Sequence, residues 1–167
     1  LLLSQLLHVC GIQSVVLERK TKDYVLGRIR AGVLERGLLH LMREAGVADR
    51  MEREGFTHDG TLICYGNQMF RVDFKHHTSH SVMVYGQTEV TRDLYEAREK
   101  SGGEIVFNVE DVEIHDAKTN APFVTYTKAG TSHRITCDFV AGCDGFHGIS
   151  RKTIPQKVRK EYQKVYP

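Results

Sequence analysis

The chain has 167 residues, 41% of them hydrophobic and 26% charged, which suits one globular domain with a core of its own. A formal net charge of +2 and a pI near 8.4, with the basic residues scattered rather than striped, exclude a nucleic-acid-binding protein. No apolar run approaches the ~18 residues of a membrane span, and the four cysteines, Cys10, Cys64, Cys137 and Cys143, have neither C-x-x-C nor metal-ligand spacing and read as reduced thiols of a cytoplasmic protein.

The opening LLLSQLLHVCG has no basic segment before it and no small-residue cleavage site after it, so it is not a signal peptide. Leu2, Leu6 and Val9 recur near helical spacing and Gly11 is a stop signal, which predicts the body of a helix without its start. Residues 14–18, SVVLE, predict a buried strand, and residues 20–30 a polar loop. Residues 33–54 predict a long helical stretch with Leu34, Leu38, Leu41 and Met42 on one face and a break at Gly46. The period then changes: residues 61–65, 69–74 and 81–85 predict short strands, with Gly66-Asn67 as a turn. Residues 88–100 predict a helix with Thr88 as N-cap, Val90, Leu94 and Ala97 on one face, and Gly102-Gly103 at its end. Residues 105–115 predict one or two strands. Residues 123–127 and 133–140 predict a hairpin about Lys128-Ala129-Gly130-Thr131. Residues 152–167 are basic and poorly patterned. Together the elements predict an α/β fold with an inserted antiparallel β layer.

Three features carry chemistry. Glu18 ends a strand that follows a helix, the position at which a dinucleotide-binding unit hydrogen-bonds its ribose; a solvated glutamate at a strand end is the plain alternative. The matching glycine-rich turn belongs about 20 residues earlier, before Leu1, so the chain is expected to be cut inside the motif. Arg28 and Arg30 flank one residue and, in an extended loop, point the same way. Two guanidinium groups on one face suit a pyrophosphate, and a solvated basic loop is the alternative. Asp144 follows the apolar run 139–142 and precedes Gly145, which lets backbone approach a ligand closely or simply makes an Asp-Gly turn.

The segments LERKTKDYVLGRIRAGVLERG, VYGQTEVTRDLYEARE and AGCDGFHGISR resemble the 4-hydroxybenzoate 3-monooxygenase family of class A flavoprotein aromatic hydroxylases, and the likeness runs along nearly the whole chain. The resemblance implies a Rossmann-like FAD-binding fold of the glutathione-reductase type, with FAD bound and NADPH as reductant. It makes residues 1–167 a partial FAD/NAD(P)H-binding domain, truncated at both ends, without the first strand, the G-x-G-x-x-G turn and the substrate domain. By the same resemblance Glu18 matches the acid on the FAD ribose, and Arg28, Ile29, Arg30, Ala31, Gly32 and Val33 the loop along the cofactor. Arg30 falls near the pyrophosphate, Gln87 is a further FAD contact, and Asp144 lies in a motif serving both FAD and the pyridine nucleotide. Arg19, Lys20 and Tyr24 match a stretch linked to NADPH choice, and His147 and Arg151 a second NADPH group. His58 matches the solvent end of a proton relay that ionises the substrate phenol, a task suited to an imidazole.

The implied reaction inserts one atom of O2 into 4-hydroxybenzoate, ortho to its hydroxyl. The implied parent is a homodimer; the piece alone is expected to be inactive. Two features depart from the family. Lys20 stands where a glutamine is expected, and the loop 75–80, KHHTSH, lacks the usual glycine; its three histidines, without carboxylates or cysteines at ligand spacing, read as a solvated loop rather than a metal site. A related hydroxylase of another phenol, or a nucleotide-binding module without catalysis, are the competing readings.

Overall fold

A computed structural model describes residues 1–28 and 30–166. The chain divides into two compact units, Leu1–Phe107 and Asn108–Pro167. Among the described residues no helix is long and apolar enough to cross a membrane.

The first unit opens with helix α1, Leu2–Val9. Its inner face is partly polar: Gln5 Nε2 donates to the Ala45 carbonyl at 3.2 Å, and the Ser4 and Ser14 hydroxyls pair at 2.8 Å. Strand β1, Val16–Glu18, follows and is half-buried rather than buried. The predicted polar loop contains a short helix, α2, Lys22–Leu26. The signal was Thr21, whose hydroxyl accepts the Tyr24 amide at 3.0 Å and starts a turn that periodicity over five residues does not reveal.

The predicted long helix from residue 33 begins instead as a strand, β2, Val33–Leu34, and splits into α3, Arg36–Glu44, and α4, Asp49–Glu54. Gly46 marks the split: Gly46 N donates to Arg43 O at 2.9 Å and Val47 N to Met42 O at 3.0 Å, closing the end of α3. Strand β3, Phe56–His58, had no clear sequence signal; it forms because β6, Val82–Val84, pairs antiparallel with both β2 and β3. Strands β4, Gly60–Tyr65, and β5, Gln68–Asp73, form a hairpin with Gly66-Asn67 at its turn. The histidine loop is helical, α5, Phe74–Thr78, because Asp73 accepts the His76 amide at 2.9 Å. That bond leads the causes that hold the Asp73 carboxyl below its usual range.

Helix α6, Gln87–Lys100, starts one residue before the predicted cap, after Gly86. Its buried side chains include Val90, Asp93, Leu94, Tyr95 and Arg98. At its end, a Cβ on Gly103 would lie 2.1 Å from the Arg98 guanidinium carbon, so only glycine leaves that buried arginine room to donate to the Ser14 carbonyl at 2.9 Å. Strand β7, Ile105–Phe107, pairs parallel with β1, Val16 opposite Ile105. The core gathers Leu34, Leu39, Met42, Ala48, Met51, Tyr85, Val90 and Leu94, with Met42 and Met51 wholly buried. Burying a side chain of that size contributes about 1.5–3 kcal/mol, so this cluster fixes α3, α4 and α6 against the β6 end.

The second unit is built on an antiparallel sheet ordered β10-β9-β8, from β8, Glu110–His115, β9, Phe123–Lys128, and β10, Thr131–Thr136. The hairpin turn is Ala129-Gly130, both with positive φ (49° and 75°), the two-residue turn that matches strand twist. The second strand ends at Thr136, short of the predicted 140, and Phe139 beyond it is 91% exposed. A 3-10 turn, Ser150–Thr153, closes the Asp144 segment.

Candidate cofactor site

Glu18 stands at the C-terminal end of β1 and is half-buried. Its Oε1 accepts the Lys20 amide at 2.8 Å. One carboxylate oxygen is thereby oriented, and the group retains acceptor capacity for a diol.

Tyr24, on α2, is the hub of a cationic cluster. Arg28 donates to its hydroxyl at 3.0 Å. Lys20 Nζ lies 5.3 Å from the ring centroid and the Arg28 guanidinium carbon 5.7 Å. Arg19 is exposed. The geometry gathers Lys20 and Arg28 about Tyr24, with Tyr24 four residues before Arg28; Arg19 adjoins Lys20 in sequence.

The stretch after Arg28 is strung on the start of α6. Thr88 Oγ1 donates to Arg28 O at 3.3 Å, Gln87 N to Ala31 O at 3.3 Å, and Tyr85 N to Gly32 O at 2.7 Å. A Cβ on Gly32 would meet the Gly86 Cα at 3.1 Å, tighter than ordinary contact. Glycine at position 32 thus lets the two backbones approach without displacing Gly86. Val33 already belongs to β2, paired with Val84, and Ile29 lies outside the described residues. Arg30, Ala31 and Gln87 are exposed. Among the described residues Arg30 engages no carboxylate, and no side chain caps the α6 N-terminus. An unpaired guanidinium, a second one held by a tyrosine, an exposed carboxamide and an uncapped 14-residue helix start form a donor set of the kind that receives a pyrophosphate. Thr88 was legible only as a cap; its bond to a residue 60 positions away was not.

His58 ends β3, the edge of its sheet, opposite Val82, and is exposed. Its neighbour Asp59 accepts the Ser81 hydroxyl at 2.5 Å and Lys75 Nζ at 3.4 Å. The Ser81 bond leads the causes that hold Asp59 below its usual range. Among the described residues no cluster of three or more His, Cys, Asp or Glu could hold a metal ion. His76 and His77 meet edge to face at 5.0 Å, and Arg36 lies 2.5 Å from the His80 ring.

In the second unit, Asp144 lies within a loop that closes on itself. The Ser150 amide donates to its Oδ2 at 2.8 Å and the Ser150 hydroxyl to its Oδ1. Its slight burial pushes the carboxyl up; the Ser150 bonds overcome this and leave it below its usual range. Gly145 turns the chain with φ +72°, and a Cβ on Gly148 would lie 1.9 Å from the Asp144 carboxyl carbon. Arg151 is spent locally: it donates to Phe146 O at 2.8 Å and Glu161 Oε1 at 2.6 Å, and its guanidinium lies 4.4 Å from the Phe146 ring centroid. His147 is exposed, edge-on to Phe146. Ser150, which orients Asp144, carried no signal beyond its hydroxyl.

A family described as an FAD binding domain matches residues 1–167. The p-hydroxybenzoate hydroxylase of Acinetobacter baylyi is 48% identical over 168 residues, covering all of this chain and 41% of that protein, so the chain spans about two fifths of the relative's length. Among solved structures, the fold is similar to p-nitrophenol 4-monooxygenase of Pseudomonas putida, with TM-score 0.75, 19% identity, and coverage of 90% of this chain and 39% of that one. It is also similar to a flavin-dependent halogenase, with TM-score 0.67, 22% identity, and coverage of 90% and 28%. The α/β expectation with an antiparallel layer agrees with these neighbours and with the parallel β1–β7 pair and antiparallel sheets described above.

Proposed function

Because the chain belongs to the FAD binding domain family, we propose that it holds the adenosine diphosphate part of FAD, within a protein that hydroxylates 4-hydroxybenzoate to 3,4-dihydroxybenzoate using NADPH and O2. The observation that carries this reading is that the Arg28, Ala31 and Gly32 carbonyls accept from Thr88, Gln87 and Tyr85 at the α6 start, while Arg30 has no carboxylate partner among the described residues. The substrate assignment is supported by the 48% identity to a p-hydroxybenzoate hydroxylase.

In this reading Arg28 and Arg30 neutralise the pyrophosphate, and the α6 N-terminus adds its partial positive charge. Glu18, held by the Lys20 amide, accepts from ribose hydroxyls. The exposed carboxamide of Gln87 supplies a further hydrogen bond. FAD, once bound by these residues, would supply the redox chemistry of an NADPH-dependent oxygen insertion, which no protein side chain provides. Lys20, with the Tyr24 ring beside it, and its sequence neighbour Arg19 give a cationic stretch suited to a nucleotide 2′-phosphate. His58 passes the phenol proton to solvent from an exposed strand end. Asp144 contributes from a loop pre-set by Ser150, with His147 and Arg151 beside it in sequence. The intact protein acts as a cytoplasmic homodimer.

The test is made on the gene product carrying this sequence. FAD is expected to bind with quenching of its fluorescence. NADPH is expected to be consumed with 4-hydroxybenzoate, and chromatography to find 3,4-dihydroxybenzoate. Product from 3-hydroxybenzoate or salicylate instead would replace the substrate assignment, and absence of flavin binding would remove the reading altogether.

A further inference from the structure

Beneath the cofactor segment lies a polar network that the chemistry above does not use. Tyr85 and Asp93 are 5% and 8% exposed. The Tyr85 hydroxyl donates to Asp93 Oδ2 at 2.8 Å. Asp93 Oδ1 accepts from Arg50 at 2.7 Å. Arg50 also pairs with Glu89 and, at 3.0 Å, with Glu54, and its guanidinium carbon lies 5.8 Å from the Tyr85 ring centroid. The network joins α4, the end of β6 and the first two turns of α6.

An acid on the inner face of α6, on the side of Val90 and Leu94, is costly. A well-packed apolar side chain there would commonly be as stable or more so. What an ion network adds is a single geometry. Here that geometry is transmitted through one residue. Tyr85 has its hydroxyl in the network and its amide on the Gly32 carbonyl at 2.7 Å, and Gln87, two residues on, has its amide on the Ala31 carbonyl. We propose that Tyr85, Asp93 and Arg50 are positioning residues for FAD, setting the 85–87 corner and through it the 30–32 segment that receives the pyrophosphate. This inference rests on the FAD reading above and names the part of the molecule that prepares the site.

The protonation states support a fixed arrangement. Burial, then the bond to Asp93, push the Tyr85 phenol well above its ordinary value, so it remains a donor. Glu89, ahead of opposing burial and the Asp93 bond, raises Arg50, which remains a cation. The corner is therefore held alike across neutral pH.

The experiment compares Tyr85→Phe and Asp93→Asn with Arg43→Ala, which removes a surface pair between α3 and α4 (Arg43–Glu52) and leaves Tyr85 untouched. FAD dissociation constants are measured by fluorescence quenching on each purified protein, well below its own unfolding midpoint, together with the visible circular dichroism of bound flavin. Tyr85→Phe and Asp93→Asn are expected to weaken FAD binding about tenfold, within the range of ordinary coupling between sites, and to alter the flavin dichroism, while Arg43→Ala does neither. Tyr85→Phe deletes one oxygen and carries the test if Asp93→Asn does not fold. Dissociation constants within about twofold of the parent, alongside a lowered midpoint, would overturn the proposal and leave the network a purely structural one. If the unsubstituted protein itself binds no FAD, the prior reading fails, a result recognisable because no variant comparison is then needed.

Discussion

The segments 28–33 and 141–154 both carry residues expected to meet a dinucleotide, and they are held by opposite means. Among the described residues, the first is held mainly from outside itself. Its carbonyls are taken by Tyr85, Gln87 and Thr88, more than 50 positions away, and those residues rest on a buried core and ion network. The second is tied to itself and to residues just after it: Ser150 to Asp144, Arg151 to Phe146 and to Glu161, Gly148 N to Gly145 O at 3.1 Å. The difference teaches that one segment inherits its geometry from the stability of a whole unit, and the other from a few local bonds near solvent. Damage far from the first should reach it, whereas damage to the second should stay where it is made.

The sharpest contrast sets two arginines side by side. Arg50→Ala leaves the buried Asp93 carboxylate with the Tyr85 hydroxyl but without its cation and should lower the unfolding free energy of its unit by about 2–3 kcal/mol in urea titration. FAD affinity should fall with it. Next in size, Gly32→Ala presses a methyl onto the Gly86 backbone. It should cost about 1–2 kcal/mol and part the 30–32 segment from α6, read as faster proteolysis there.

Ser150→Ala should cost under about 1 kcal/mol, since Asp144 is largely solvated. Its signature is in acid. The Asp144 carboxyl lies below its ordinary 3.8 when folded, so its contribution is present above that pH and is lost as pH falls through the folded value. The substitution should move the Asp144 midpoint up toward the ordinary value, followed by carboxyl-carbon NMR. Smallest of all, Arg151→Ala removes a half-exposed pair and should change stability by no more than about 1 kcal/mol, leaving 28–33 untouched. An Arg151 effect as large as that of Arg50 would break the contrast.

Four of the candidate residues carry a local signal of their own: Glu18, an acid ending an apolar run; Arg28 and Arg30, one residue apart; and Asp144, an Asp-Gly after an apolar run. The others, among them His58, Gln87 and Arg151, entered through the resemblance alone. The elements were legible where period or turn chemistry is strong, as in α6 and the Ala129-Gly130 hairpin. They were misread where tertiary pairing outweighs local preference. Val33-Leu34 carries helical spacing yet forms a strand because β6 offers both residues antiparallel partners. Phe56–His58 has no signal of its own and is recruited to the same strand. The 75–80 histidines read as loop until Asp73 supplied a cap.

What the chain determined by itself was composition class, the candidate cofactor residues with a local signature, and the positions of most helices and turns, because these depend on side-chain chemistry within a few residues. What tertiary structure alone decided was which distant groups hold those residues in place. Nothing within ten residues of Gly32 foretells that its carbonyl meets Tyr85, or that Tyr85 is steadied by Asp93 and Arg50. Those bonds depend on the core around Met42 and Met51, which brings distant elements together and withdraws water from the polar groups between them, so that each must find its partner in the protein.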